Sequence, residues 1–570
     1  MAADSKKKKI ALIIVFSVIG VAMIVAVAVG VTCSRKSAKQ NKGTSSSKKA
    51  IETICQTTSY KETCQSSLEK AAGDTSDPKE LIKTGFQVAA DKLDEVIKNS
   101  NTLKDLAKDP MASQALDVCK EMLDTAAEDL LGAVDKMGPF DASKMNEYVE
   151  DLKVWLSAAV NHQQTCLDAF EGTKGEAGEK MKGFLKTAQE LTSNGLAMVS
   201  EISSLLGSVN SNTHRRRLLG SSSGDQKSKR VYKPLPSWIG ARKLDLLTAT
   251  PQSLKPNVVV AQDGTGKYKS IQEALKEVPK KSAQPFVIYI KEGVYKEYVI
   301  VDKDMTNVVM IGDGPTKTRI SGSKNYADGT TTMYTATFAA VGDYFVAKGI
   351  GFENTAGAAK HQAVALRVQS DFSIFYNCYI DAYQDTLYTQ TYRQYYRDCT
   401  ISGTVDFIFG DGVAMFQNCR MVVRKPGDSQ SCMVTAQGRT DKNEITAIVL
   451  QNCTITGEPD YMAVKDKNKA YLGRPWKGFA RVVVIQSQID NAIAPEGWTE
   501  WTGEKFHTSC FVAESGNRGA GADMSKRVKW QTLMKLTPEQ AAAFTPARLF
   551  EGDKWVKPSG VPYVSGMMSV

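Results

Sequence analysis

At 570 residues the chain exceeds what one hydrophobic core organises, so two or more domains are expected. A hydrophobic share of 42% and a charged share of 24% are those of globular protein, and the formal net charge of +10 suits a polyanionic partner as well as none. Only His162, His214, His361 and His507 occur, without an HExxH pair or a CxxC cluster, which argues against a metal site; no G-x-S-x-G elbow marks a serine nucleophile. A Ser-His-Asp triad stays open by counting, but carboxylates are the favoured carriers of any chemistry.

Four lysines at 6–9 precede an apolar run over residues 10–32, long enough to cross a bilayer and longer than the core of a cleaved signal peptide. It reads as a signal anchor behind a cytosolic basic tail, residues 1–9. Arg35, Lys36, Lys39 and Lys42 beyond it leave orientation open from charge alone, and Ala26 and Ala28 leave a cleavage site open. Either way the bulk of the chain is expected in the secretory pathway, where thiols oxidise. Eleven cysteines leave at least one unpaired, with Cys33 the obvious odd one.

A Ser/Lys/Gly linker at 33–49 leads into a helical pattern over residues 50–206. Ile82, Phe86, Ala89, Leu93 and Val96 recur at spacings of three and four, which places them on one helix face and predicts a bundle. Residues 207–254 form a second linker. Within it Arg215, Arg216, Arg217, Leu218 and Leu219 read as a stretch open to a processing protease, or as a solvated charged loop.

From residue 255 to 570 the texture is short β-branched runs broken by Gly, Asn and Asp, such as FVIYIKEG from Phe286 and RVVVIQSQI from Arg481. FYNCYI at Phe375, YRDCTI at Tyr396, FQNCRM at Phe416 and LQNCTI at Leu450 repeat one pattern. Asn377, Asp398 and Asn418 are 21 and 20 residues apart, and Asn354 extends the series upstream. A period just above 20 with β texture predicts a solenoid, one coil per repeat, with equivalent side chains stacked roughly 4.8 Å apart. The Asn side chains should bond along the stack and the cysteines beside them should point inward. The step of 34 from Asn418 to Asn452 places an insertion in one coil, expected as a loop beside a binding face.

Gln362, Asp385 and Asp406 follow at intervals of 23 and 21, the coil period, and so should line one strip with Gln384 beside Asp385. Two carboxylates on adjacent coils repel, which drives their pKa values apart and leaves one an acid while the other is an ionised nucleophile.

GVYKE at Gly293, QAVALR at Gln362, QDTLY at Gln384, DFIFG at Asp406 and LGRPW at Leu472 resemble, in order and spacing, the signature blocks of plant pectin methylesterases. The resemblance implies a right-handed parallel β-helix that hydrolyses pectin methyl esters with no cofactor, metal or nucleic-acid partner. The segment with Cys55, Cys64, Cys119 and Cys166 resembles the family's inhibitor-like four-helix-bundle pro-domain, the first two and last two cysteines matching its disulfides. RRRLL resembles its processing site, and Arg242 onward, in ARKLDLL, is a poorer second match.

The family roles, carried onto matching positions, make Asp406 the nucleophile and Asp385 the proton donor and later base. Gln384 and Gln362 become oxyanion donors, Arg474 orients Asp406 and substrate, and Trp476 and Thr332 contact the sugar. Cys399 and Cys419 match a family disulfide. Pectin, proteinaceous pectin methylesterase inhibitors and a processing protease are the implied partners, and the cell wall the destination of a membrane-anchored precursor. The family continues DFIFG with Asn-Ala, whereas Asp411 and Gly412 follow here; an extra carboxylate is expected to raise the pKa of Asp406 and the pH optimum. Two other readings stay open: a galacturonan lyase or hydrolase on the same fold, and a binding or inhibitory module acting through the helical segment.

Overall fold

The computed structural model describes residues 46–137, 145–211 and 255–569. The apolar run 10–32, the arginine-rich linker and Arg242 lie outside these residues. Among the described residues no helix is long and apolar enough to cross a membrane.

Six helices open the described chain: α1 (Ser46–Cys55), α2 (Lys61–Ala71), α3 (Pro78–Ser100), α4 (Pro110–Lys136), α5 (Met145–Asp168) and α6 (Ala177–Ser211). The last four form a bundle in which α3 packs on α4 and α6, and α5 on α4 and α6. The stripe read from the sequence is its seam, with Ile82, Phe86, Ala89, Leu93 and Val96 all buried. Asp77 and Asp109 start α3 and α4, each capping backbone N–H groups ahead of a proline in the first turn, a feature worth about 1 kcal/mol per cap. Disulfides Cys55–Cys64 and Cys119–Cys166 are formed, the second tying α4 to α5.

Beyond residue 255 the chain winds into a right-handed parallel β-helix of three sheets, with eleven, eight and seven strands, all pairs parallel. A coil enters each sheet once, so register advances by one coil: Phe375 pairs with Tyr396, Tyr396 with Phe416 and Phe416 with Leu450. Inside, Phe375, Tyr396 and Phe416 stack at centroid distances of 5.0 and 4.4 Å. Asn377, Asp398, Asn418 and Asn452 take the left-handed backbone of the turn, which Asn and Asp tolerate best. Their side chains form the expected ladder: Asn418 Nδ2 donates to Asp398 at 2.6 Å and Asn452 Nδ2 to Asn418 at 3.3 Å.

Two expectations are corrected. Asn354 is not a rung, since Lys348 pairs with Tyr376 and so puts Gly349, also left-handed, opposite Asn377. Asn354 instead sits in a strand and bonds Lys324, Thr335 and Val364 carbonyls. Cys399 and Cys419, expected as a disulfide, are buried free thiols in an inward-facing stack with Cys378 and Cys453. Each sulfur instead turns to a main-chain carbonyl, Cys399 to Phe375 and Cys419 to Tyr396, both at 3.4 Å.

Candidate active site

Asp385 and Asp406 each occupy the turn just before a strand, Leu387–Thr389 and Ile408–Gly410. Leu387 pairs with Ile408, so the same register sets the aspartates one above the other on adjacent coils. Both have left-handed backbones, φ 61° and 51°, and the Asp385 N–H is tied to the Val405 carbonyl at 3.0 Å. A non-glycine residue in this region costs about 1 kcal/mol or more, and such strain concentrates at functional sites.

Arg474 follows the strand Ala470–Gly473 and grips Asp406 with both arms, Nε to Oδ1 at 2.9 Å and Nη2 to Oδ2 at 2.6 Å. This fork fixes the carboxylate plane, which a lysine could not do. Its guanidinium lies 4.1 Å from the Trp501 ring centroid, and Trp501 neighbours Trp476 at 6.5 Å. Trp501 was not singled out by sequence reasoning; the aromatic pair in GWTEWTG was the available signal. Trp476 packs edge-on against Phe409, directly above stacked Tyr388, and forms an aromatic wall beside the dyad.

The two aspartates are electrostatically unequal. Burial pushes the Asp385 carboxyl well above the ordinary range, and the neighbouring Asp406 charge adds to this against a weaker pull from Arg474. Burial also raises Asp406, but Arg474 opposes it with both charge and hydrogen bonds. The proton is therefore favoured more strongly on Asp385 than on Asp406, whose charge Arg474 supports.

Gln362 pairs across the coil with Gln384 rather than with Asp385, so the two amides are neighbours beside the dyad. Among the described residues no hydrogen bond joins the side chain of Gln362, Gln384 or Thr332 to either aspartate. Thr332 opens a short 3-10 turn whose neighbours face the helical domain: the Thr331 N–H donates to Gln114 at 3.1 Å and Met333 packs on Val118 and Met122. Asp411 does not act on Asp406 as expected. It is buried on the far side of Gly410, where it accepts from Gln437 at 2.7 Å, and the charge that tunes Asp406 is Arg474.

The helical domain covers this region. Asn161 donates to the Gln390 carbonyl at 2.6 Å, Tyr392 donates to Asp129 at 2.8 Å, and Arg393 pairs with Asp151 at 2.8 Å. Lys477, next to Trp476, pairs with Asp168 at the end of α5 at 2.6 Å, and the Tyr326 hydroxyl donates to the Glu171 carbonyl. Glu171 adds to the field that raises Asp385.

A family model described as Pectinesterase matches residues 257–553, and one described as Plant invertase/pectin methylesterase inhibitor matches residues 49–198. The chain is 51% identical over 568 residues to "Putative pectinesterase/pectinesterase inhibitor 28" of Arabidopsis thaliana, covering 99% of this chain and 76% of that protein. It is 49% identical to a pectinesterase of Petunia integrifolia over 68% of this chain and all of that one. Among solved structures, pectin methylesterase from carrot matches with a TM-score of 0.54 at 48% identity, over 55% of this chain and 99% of that one. The chain thus belongs to the pectinesterase family, as a pectin methylesterase catalytic domain preceded by an inhibitor-like helical domain.

Proposed function

We propose that de-esterification runs through an acyl-enzyme on Asp406, and that the helical domain holds the enzyme latent until the linker is cut. The observation that carries the first part is the unequal dyad, one carboxyl gripped by the Arg474 fork and the other, without such a partner, pushed further up by burial and its neighbour's charge. The Asp406 carboxylate attacks the C6 carbonyl of a methylated galacturonate. The amides of Gln362 and Gln384 donate to the oxyanion that forms. Collapse breaks the C6–methoxy bond, the methoxy oxygen takes the Asp385 proton and methanol leaves an anhydride. Water then attacks C6, Asp385 takes its proton, and Asp406 departs as carboxylate with the pectate acid as product. Trp476 offers a flat face to a sugar ring and Thr332 a hydroxyl at the rim.

The contacts of Asp168 and Glu171 support latency, because they set the helical domain beside Trp476, where a polymer would have to bind. The domain division at residues 206 and 255, entry to the secretory pathway through residues 10–32, cutting by a protease near Arg216, Arg217, Leu218 and Leu219, and release to cell-wall pectin complete this reading. Soluble inhibitor proteins would bind the face vacated by the helical domain. Methanol release from methylated pectin should be low in the uncut chain and rise after cleavage near Leu219, and Asp406→Asn should abolish it. Equal rates before and after the cut would refute latency; an active Asp406→Asn enzyme would refute the mechanism.

A further inference from the structure

Asp411 lies on the coil that carries Asp406, and Glu444 lies in the loop 438–446 that the next, longer coil inserts; both are 1% exposed. One oxygen of each is well served. Asp411 Oδ1 accepts from Gln437 Nε2 at 2.7 Å and from the Thr446 hydroxyl, while Glu444 Oε1 accepts from the N–H groups of Thr440, at 3.0 Å, and Asp441. Among the described residues the other oxygens, Asp411 Oδ2 and Glu444 Oε2, have no donor, although the two carboxyls lie within hydrogen-bonding reach of each other. Two buried acceptors left unmatched are costly, and one proton between them removes both deficits.

The charged groups around the pair are Arg439, Arg481 and Asp441. Among the described residues neither arginine forms an ion pair with either carboxyl. Arg439 donates to the Lys442 and Phe479 carbonyls, and Arg481 to the Ile445 carbonyl at 3.5 Å.

We propose that Asp411 and Glu444 share a single proton, and that this acid pair is a positioning device that clamps residues 438–446 against Trp476. The connection to the cleft is direct. Gln437, held by Asp411, accepts from the Trp476 N–H through its carbonyl at 3.1 Å and from the Arg439 and Arg481 N–H groups through its side chain. Gly438 lies so close to the Trp476 ring that a Cβ there would stand 2.8 Å from it. The same loop meets the helical domain, with Asp441 accepting from Ser193 and the Ile445 N–H donating to Ser157.

Burial and the charge of its partner push Glu444 well above the ordinary carboxylate range, and burial also raises Asp411. Groups raised in the folded state stabilise it at low pH and lose that contribution as pH rises. The clamp is therefore closed on the acid side and released on the alkaline side, where two like charges meet. Asp411→Asn replaces the shared proton with an amide N–H that Glu444 can accept at every pH.

Infrared difference spectra of the full chain, wild type minus Asp411→Asn, should show a carboxylic-acid carbonyl band that bleaches as pH rises. Tryptic cleavage after Lys442 in the full chain, read by mass spectrometry, should increase in wild type over that same range. Asp411→Asn should stay protected throughout. In the linker-cleaved enzyme, KM for methylated pectin should rise over that range in wild type alone, with kcat unchanged between the two proteins. Absence of the band, or the same cleavage profile in wild type and Asp411→Asn, overturns the proposal.

Discussion

In the proposed mechanism Asp406 must be ionised to attack, so activity falls as pH drops through its pKa, which burial raises and Arg474 partly offsets. Arg474→Lys keeps a positive charge but loses the two-armed grip, so the carboxylate is both freer to turn and easier to protonate. The acidic limb of the kcat/KM profile should move to higher pH, and kcat at the plateau should fall about 100-fold, the usual cost of a misplaced reacting group. A Lys enzyme with an unshifted acidic limb would show that the fork does not set the Asp406 charge. At this scale the dyad was legible because each aspartate holds the same turn of its coil, so counting by 21 found the partner. Counting failed for Gln362, whose spacing of 23 suggests Asp385 while the chain pairs it with Gln384. The resemblance, not the counting, supplied the Cys399–Cys419 disulfide: equal spacing gave the stacking, and the stacked sulfurs are free thiols. Asp411 was visible as a residue but not in its direction, because the side chains around a coil alternate between cleft and interior.

The coil is the unit that the repeat described. Aromatic, Asn and Cys positions each landed in one stack, since parallel register without slip carries a sequence period directly into space. What the period could not give was the length of each connection. Asn354 fell out of the ladder because its coil spends extra residues before the next strand. The 34-residue step became two excursions, 424–431 and 438–446, of which the second borders Trp476 and faces the helical domain. The ladder itself can be tested at Asn418, which bonds the rungs on both sides from a left-handed turn, φ 58°. Asn418→Gly keeps the backbone free and loses only the two bonds, whereas Asn418→Ala also forces a Cβ into that region, about 1–2 kcal/mol more. Urea unfolding should rank wild type above Gly and Gly above Ala. Ala as stable as Gly would mean the turn relaxes out of its left-handed form.

Two domains were legible from composition, but their docking was not. The contacts fall on Asn161, Asp129, Asp151 and Asp168, each of which, read in sequence, is one more polar position on a helix. Only the fold turns them to one side, toward Gln390, Tyr392, Arg393 and Lys477 on the cleft face. The centre of this contact is Asp151, which is buried and bonded both to Lys136 of its own domain at 3.1 Å and to Arg393 of the β-helix at 2.8 Å. Arg393 is also held by Asp371 at 2.6 Å, so the β-helix keeps its own counter-charge when the domains part. Removing Asp151 takes away the carboxylate that lies between Lys136 and Arg393 in a dry interface, a change of up to about 3–5 kcal/mol for a buried pair. Spread over docking, that is about a 100- to 1,000-fold weaker association or more. The uncut Asp151→Ala chain should therefore release methanol from methylated pectin at a rate approaching that of the linker-cleaved enzyme. Its cleaved halves should separate on gel filtration where the wild-type halves stay together. Far-ultraviolet circular dichroism of the uncut variant should retain the helical signal, which distinguishes undocking from unfolding of the bundle. An Asp151→Ala chain that stays silent until the linker is cut would place the hold on the cleft elsewhere, at the Asp168–Lys477 contact beside Trp476.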